Sequence, residues 1–122
     1  RGRPDSCYKG AMSEASKLTG QIIDYIYQKG GFAWRAQSQG LPLATGGWRA
    51  SAKRGVSDVL GIYQGRLLAI EVKINKDVLS PEQEGFLKTV EHHGGIIYVA
   101  KDFEGFKKWF DWQIVLVDNL LT

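Results

Sequence analysis

Two stretches of the chain are apolar at almost every position, Val59-Leu60-Gly61-Ile62-Tyr63 and Leu67-Leu68-Ala69-Ile70, with Gln64-Gly65 near the junction. Short apolar runs bounded by turn residues predict strands buried on both faces, here over residues 57–63 and 66–74. A two-residue turn at Gln64-Gly65 would pair Tyr63 with Arg66 and, stepping outward, Asp58 with Glu71. Upstream the pattern is helical. Ser13 stands as an N-cap, Leu18, Ile22, Ile23 and Ile26 recur on one face, and Gly30-Gly31 stop the helix. Residues 32–36 read as a first strand. Downstream, Ser80-Pro81-Glu82-Gln83 starts a second helix, with Ser as cap, Pro in the first turn and Gln at the capping-box position. Phe86, Leu87 and Val90 give that helix its buried face, and Gly94-Gly95 end it. Residues 96–100 form a further buried strand, and Asp102 caps a helix carrying Phe103, Phe106, Trp109 and Phe110. Ile114-Val115-Leu116-Val117 suits either a last strand or a short apolar helix, and its exposure would mark a subunit interface.

Between the first strand and the hairpin, residues 37–54 read as one long loop rich in Gly, Ser and Ala. A loop of that length in a compact domain usually has a function of its own. Residues 1–11 lack hydrophobic periodicity and read as a flexible tail or an expression remnant, leaving 12–122 as one domain. Arg1-Gly2-Arg3-Pro4 matches the core of a minor-groove-binding AT-hook, a weak signal at four residues.

Composition narrows the class. A chain of 122 residues buries one core and is too short for two, and 43% hydrophobic with 24% charged residues is the balance of an ordinary globular protein. The net charge of +3 permits a nucleic-acid partner without requiring one. Carboxylates engaged with a metal would leave the rest of the surface more basic than this figure. Cys7 stands alone, so no internal disulfide forms, and no Cys/His spacing suits zinc. No apolar run is long enough to span a membrane and no signal peptide is visible, which fits a reducing intracellular setting.

The candidate chemistry sits on the hairpin. Opposed Asp58 and Glu71 would have Cβ atoms roughly 4.5–5.5 Å apart, and like charges so placed are destabilising unless a cation lies between them. Side chains alternate along a strand, so Lys73 shares the face of Glu71. Charges at strand ends are commonly just solvated. The apolar neighbours argue otherwise, because charges in buried surroundings are rarely left unpaired.

The order of Asp58, a strand turn and Glu71-Val72-Lys73 resembles the motif of the PD-(D/E)XK nuclease superfamily. More narrowly, Gly55-Val56-Ser57-Asp58, Ile70-Glu71-Val72-Lys73 and Leu79-Ser80-Pro81-Glu82-Gln83 resemble the VRR-NUC (virus-type replication-repair nuclease) branch, from about Ser13 to Ala100. Ser57 departs from the proline of the superfamily name, at a position that shapes the turn and binds no metal. The resemblance implies an α/β fold with a restriction-endonuclease-like core, a central mixed sheet flanked by helices. It implies Mg²⁺ or Mn²⁺ as cofactor, bound by Asp58, Glu71 and the Val72 carbonyl. It further implies Glu14 on the first helix as a ligand through water or to a second ion, with Asp24 the lesser substitute. Lys73 would orient the attacking water or stabilise negative charge, and Gln83 would sit beside it in support. Glu14 and Gln83 also have purely structural readings, as a complement to the helix dipole and as a capping-box partner. His92 and His93, near a helix end, are assigned no chemistry.

Arg35, Trp48, Arg49, Lys53 and Arg54 are candidate DNA contacts, cations for phosphates and an indole for an unstacked base. Trp48 equally suits packing over the sheet edge. The function expected from the resemblance is metal-dependent endonucleolytic cleavage of branched replication and repair DNA, by a homodimer able to cut a Holliday junction symmetrically. The setting expected is the cytoplasm of a bacterium or phage-infected cell, with no membrane partner. Alternatives are a flap- or restriction-like nuclease on the same fold and a non-catalytic DNA-binding module. Intact Asp58, Glu71 and Lys73 argue against the last.

Overall fold

The computed structural model describes residues 13–36, 41–42, 48–49 and 55–121. Along the chain these form α1 (Glu14–Gln28), β1 (Phe32–Arg35), β2 (Leu41–Pro42), β3 (Trp48–Arg49), β4 (Val59–Tyr63), β5 (Arg66–Val72), α2 (Pro81–His92), β6 (Ile96–Ala100) and α3 (Phe103–Leu121).

The turn joining β4 to β5 sets the register of the whole sheet. Gln64 and Gly65 take φ of 54° and 79°, the left-handed values that a primed two-residue turn demands and that match the twist of paired strands. Tyr63 therefore pairs with Arg66, and the ladder runs out to Val59 opposite Ile70, as predicted. On the other side of β4, β1 pairs antiparallel, from Phe32 opposite Ile62 to Arg35 opposite Val59. Beyond β5, β6 pairs parallel, which requires a crossover, and α2 supplies it. The resulting mixed sheet has the order β1-β4-β5-β6.

Alternation along the strands divides the interior in two. Ala33, Val59, Tyr63, Leu68, Ile70 and Val72 face α1 and α3, where Leu18, Ile22, Ile26, Phe106 and Phe110 close over them. Ala69 faces the other way, under Leu87 and Val90 of α2, with Leu60, Ile97 and Val99 alongside. Tyr25 clasps α1 to α3. Its hydroxyl donates to Asp111 Oδ1 at 2.6 Å, and its ring lies edge-on to Phe103, Phe106 and Phe110. Burial, that hydrogen bond and the negative charge of Asp111 together push the phenol up to about 12.

Four expectations need correction. Residues 37–54 are not loop throughout, because β2 and β3 pair antiparallel, Leu41 opposite Arg49; two-residue strands are too short to show alternation. Residues 114–117 belong to neither a separate strand nor a short helix but to the long α3. β4 and β5 are each shorter than expected, ending inside Asp58 and Lys73, although Ala36 N–H still donates to the Asp58 carbonyl and Lys73 N–H to the Ala100 carbonyl, both at 2.9 Å. Finally, the hairpin is not buried on both faces along its length. Ile62 and Leu67, near its turn, are 43% and 38% exposed, because α2 packs over β5 and β6 and not over this end. No helix among the described residues is long and apolar enough to cross a membrane. The N-terminal tail and its Arg1-Gly2-Arg3-Pro4 lie outside the described residues.

Candidate active site

The chain just before β4 is held in place by two local features. Gly55 has φ of 76°, and a Cβ there would overlap the Glu82 carbonyl and crowd Gln83 N at 3.0 Å. The approach to Asp58 thus presses directly on the first turn of α2, which only glycine permits. Ser57 is fully buried, and its hydroxyl donates to the Val59 carbonyl at 3.1 Å, bending the chain into the strand. Asp58 follows, half-buried at the mouth of the hairpin.

Asp58 and Glu71 do more than face each other. The Asp58 N–H donates to Glu71 Oε1 at 3.0 Å, and the Val72 N–H donates to Asp58 Oδ2 at 2.8 Å. Each carboxylate thus accepts a backbone hydrogen from the other's strand, which locks both in position. Glu71 has no solvent exposure, and its Oε2 is buried with no hydrogen-bond partner. An unpaired carboxylate oxygen in such a place is costly. Its carboxyl is accordingly pushed up to about 8, first by burial, then by hydrogen bonding to Asp58 and by its charge. The Asp58 N–H and the Lys73 ammonium pull weakly in the opposite direction. Lys73, half-buried two positions on, adds the positive charge of the cluster. In an extended strand the N–H and C=O of one residue point to the same edge, which puts the Val72 carbonyl on the β4 side of β5.

This donor set fits a divalent cation. Two hard carboxylates, one with an orphaned oxygen, and a nearby carbonyl are the ligands magnesium or manganese takes, and a cation would replace the proton that Glu71 otherwise holds. Among the described residues no group of three or more His, Cys, Asp and Glu side chains comes together at a possible metal site, so protein carboxylates alone would number two.

The model of the VRR-NUC domain matches residues 44–103, the stretch that contains Asp58, Glu71, Val72, Lys73 and Gln83. Those residues carry the VRR-NUC domain match. A solved VRR-NUC domain is similar to it at a TM-score of 0.62 and 18% identity, covering 82% of this chain and 97% of that one. Hjc, a Holliday junction resolvase from Archaeoglobus fulgidus, is similar at a TM-score of 0.51 and 23% identity, covering 71% of this chain and 67% of its own. The mixed sheet with its flanking helices is thereby the PD-(D/E)XK nuclease fold. No curated protein matches the sequence.

The remaining expected site residues of the VRR-NUC domain stand at different distances from the carboxylate pair. Gln83 closes the capping box of α2: its Oε1 accepts from Ser80 N–H at 2.9 Å while Ser80 Oγ accepts from Gln83 N–H at 3.1 Å. Its backbone lies against Gly55, so it is next to the segment that leads into Asp58. Glu14 is exposed at the start of α1, which packs on the opposite face of the sheet from Glu71. A chain of contacts nonetheless brings that start to the same end of the sheet. Arg35 donates from a guanidinium nitrogen to the Ser16 carbonyl at 3.0 Å, and its neighbour Ala36 bonds Asp58. Arg35 therefore braces α1 against β1. Asp24 lies near the far end of α1 and is exposed. Trp48 and Arg49 form β3, their side chains being outside what the structure describes, as are Lys53 and Arg54 altogether. Sequence reasoning passed over two aromatics on the site's own face, Phe32 and Trp34, whose signal was their alternation with buried Ala33 and with Arg35.

Proposed function

We propose that this VRR-NUC nuclease is a Mg²⁺- or Mn²⁺-dependent endonuclease that hydrolyses phosphodiester bonds in branched DNA, working as a homodimer on junctions. The observation that carries the metal dependence is the fully buried Glu71 with its unpartnered Oε2 set against Asp58. In this reading Asp58, Glu71 and the Val72 carbonyl hold the ion. When bound, the ion neutralises charge on the phosphate and makes water more acidic. The mutual hydrogen bonds between Asp58 and the Glu71–Val72 strand fix the ligands before substrate arrives, so little reorganisation is needed. Lys73, beside Glu71, places an ammonium where negative charge develops and orients the attacking water. Its principal part in this reading is electrostatic. Glu14 acts from the same sheet end through water, and the Gln83 side chain amide, with its oxygen engaged by the cap, has its nitrogen to offer the water or the phosphate.

Branched substrates and a dimer are supported by the likeness to a Holliday junction resolvase, since two copies related by a two-fold axis present two sites to two strands. The experiment is direct cleavage of labelled duplex, flap and four-way junction DNA with Mg²⁺, Mn²⁺ or EDTA. Metal-dependent paired nicks in the junction are expected, with Asp58→Asn inactive and Lys73→Ala strongly impaired. Cleavage that persists in EDTA, or in Asp58→Asn, would remove the proposal.

A further inference from the structure

Side chains on one face of the sheet form level rows across β1, β4 and β5. Phe32 lies opposite Ile62, which lies opposite Leu67; Trp34 lies opposite Leu60, which lies opposite Ala69. The next row outward holds Ala36, Asp58 and Glu71, joined by the Ala36–Asp58 hydrogen bond and the Asp58–Glu71 contacts. Trp34, Leu60, Ala69 and Glu71 thus share a face, and Trp34 is two residues, roughly 6.6 Å, from the level of the carboxylates. On that face α2 covers β5 and β6. Among the described residues nothing covers the β1 half, where Trp34 is 38% and Phe32 52% exposed. Their rings are held together, with centroids 5.3 Å apart and planes at 45°, and Tyr27 braces Phe32 edge-on at 6.0 Å.

We propose that Trp34, backed by Phe32, is a stacking platform for an unpaired base on the strand whose phosphate lies at Asp58 and Glu71. The proposal rests on the nuclease reading for the position of the phosphate. Among the described residues, a strand leaving the carboxylate pair meets α2 in one direction and the exposed Trp34 in the other, so its neighbouring nucleotide passes over Trp34. The described side chains there, Phe32, Trp34, Leu60 and Ile62, are aromatic and apolar, which suits the face of a base that has left its helix. Stacking on an aromatic ring is tolerant of base identity and demands that the base be unpaired. The platform therefore selects DNA with unpaired nucleotides beside the cut, and it does so without reading sequence.

The test is equilibrium binding by fluorescence anisotropy in EDTA, so that no cleavage intervenes. Two labelled oligonucleotides are compared, a duplex interrupted by a three-nucleotide gap and the same duplex fully paired. Trp34→Ala is expected to weaken gapped DNA roughly 5- to 150-fold, the equivalent of about 1–3 kcal/mol for one stacked base. It is expected to weaken paired DNA less than about twofold, and Trp34→Phe, which keeps a ring, retains most of the affinity for gapped DNA. Equal loss on both DNAs, or no loss on either, overturns the proposal. So does conversion of a dimer to a monomer by Trp34→Ala in light scattering, which would make the patch a subunit contact. Circular dichroism of both variants must match the parent chain, and if Trp34→Ala fails that check, Trp34→Phe against Trp34→Leu decides the matter in the same way. Because binding is read without metal, an inactive enzyme leaves this result standing, and an unaffected Trp34→Ala leaves the nuclease reading standing.

Discussion

Glu71 is the residue on which the proposed chemistry depends. Its carboxyl, ordinarily near 4.5, is held at about 8 in the folded chain by burial and by Asp58. Between those two values the folded protein keeps a proton that the unfolded chain has released. In the absence of metal its contribution to stability is therefore fully present below pH 4.5, falls as pH rises, and is lost above about 8. Glu71→Gln cannot ionise, so in EDTA at pH 8.5 it should unfold at a temperature at least as high as the parent chain, while losing activity by at least about 100-fold. A lower unfolding temperature under those conditions would show that Glu71 is not strained by its burial. Metal binding replaces the same proton, so at pH 7 Mn²⁺ binding should release close to one proton, measured by calorimetry in buffers of differing ionisation enthalpy. Lys73→Ala should reduce cleavage roughly 10²- to 10⁴-fold with little change in unfolding, because the lysine is only half-buried.

At the scale of elements, two features position those residues. Gly55 must be glycine, since its φ of 76° and its contact with the Glu82 carbonyl leave no room for a Cβ. Gly55→Ala should destabilise by about 1–3 kcal/mol in denaturant unfolding and depress cleavage beyond what the unfolded fraction explains, because it shifts the segment carrying Asp58. The capping box of α2 separates the two roles of Gln83. Ser80→Ala removes only the cap and should cost about 1 kcal/mol. Gln83→Glu retains an acceptor at that position, so stability should persist; if activity falls all the same, the amide serves the site, and if activity is untouched, Gln83 is a cap alone. Much at this scale was legible in the sequence. Gln64-Gly65 announced a two-residue hairpin turn and hence Asp58 facing Glu71, and Ser80-Pro81 announced a helix start, because both are rules about neighbouring residues. The strands β2 and β3 and the extension of α3 through residues 114–117 were not legible. Two-residue strands carry no period, and an apolar run at a helix end has the composition of a strand.

For the whole molecule, the mixed sheet with helices on both faces follows from a hairpin joined to a parallel strand through α2, and the nuclease fold of its structural neighbours agrees. The site required tertiary information in one respect above all. Glu14 begins a helix on the far face, and only Arg35, bonded to Ser16, shows that its start lies at the end of the sheet where Asp58 is. No local pattern encodes that. The clasp of Tyr25 on Asp111 is likewise a long-range contact, 86 residues apart in sequence. Tyr25→Phe should cost roughly 0.5–1.5 kcal/mol of stability and leave cleavage intact, since it joins α1 to α3 away from the carboxylates. The proposed activity requires that Asp58 and Glu71 form a divalent metal site. Titration of Mn²⁺ into the protein, with free ion read by electron paramagnetic resonance, tests this without substrate. Saturable binding by the parent chain and by Lys73→Ala, lost in Asp58→Asn and Glu71→Gln, is the predicted result; undiminished binding by Asp58→Asn and Glu71→Gln would contradict it.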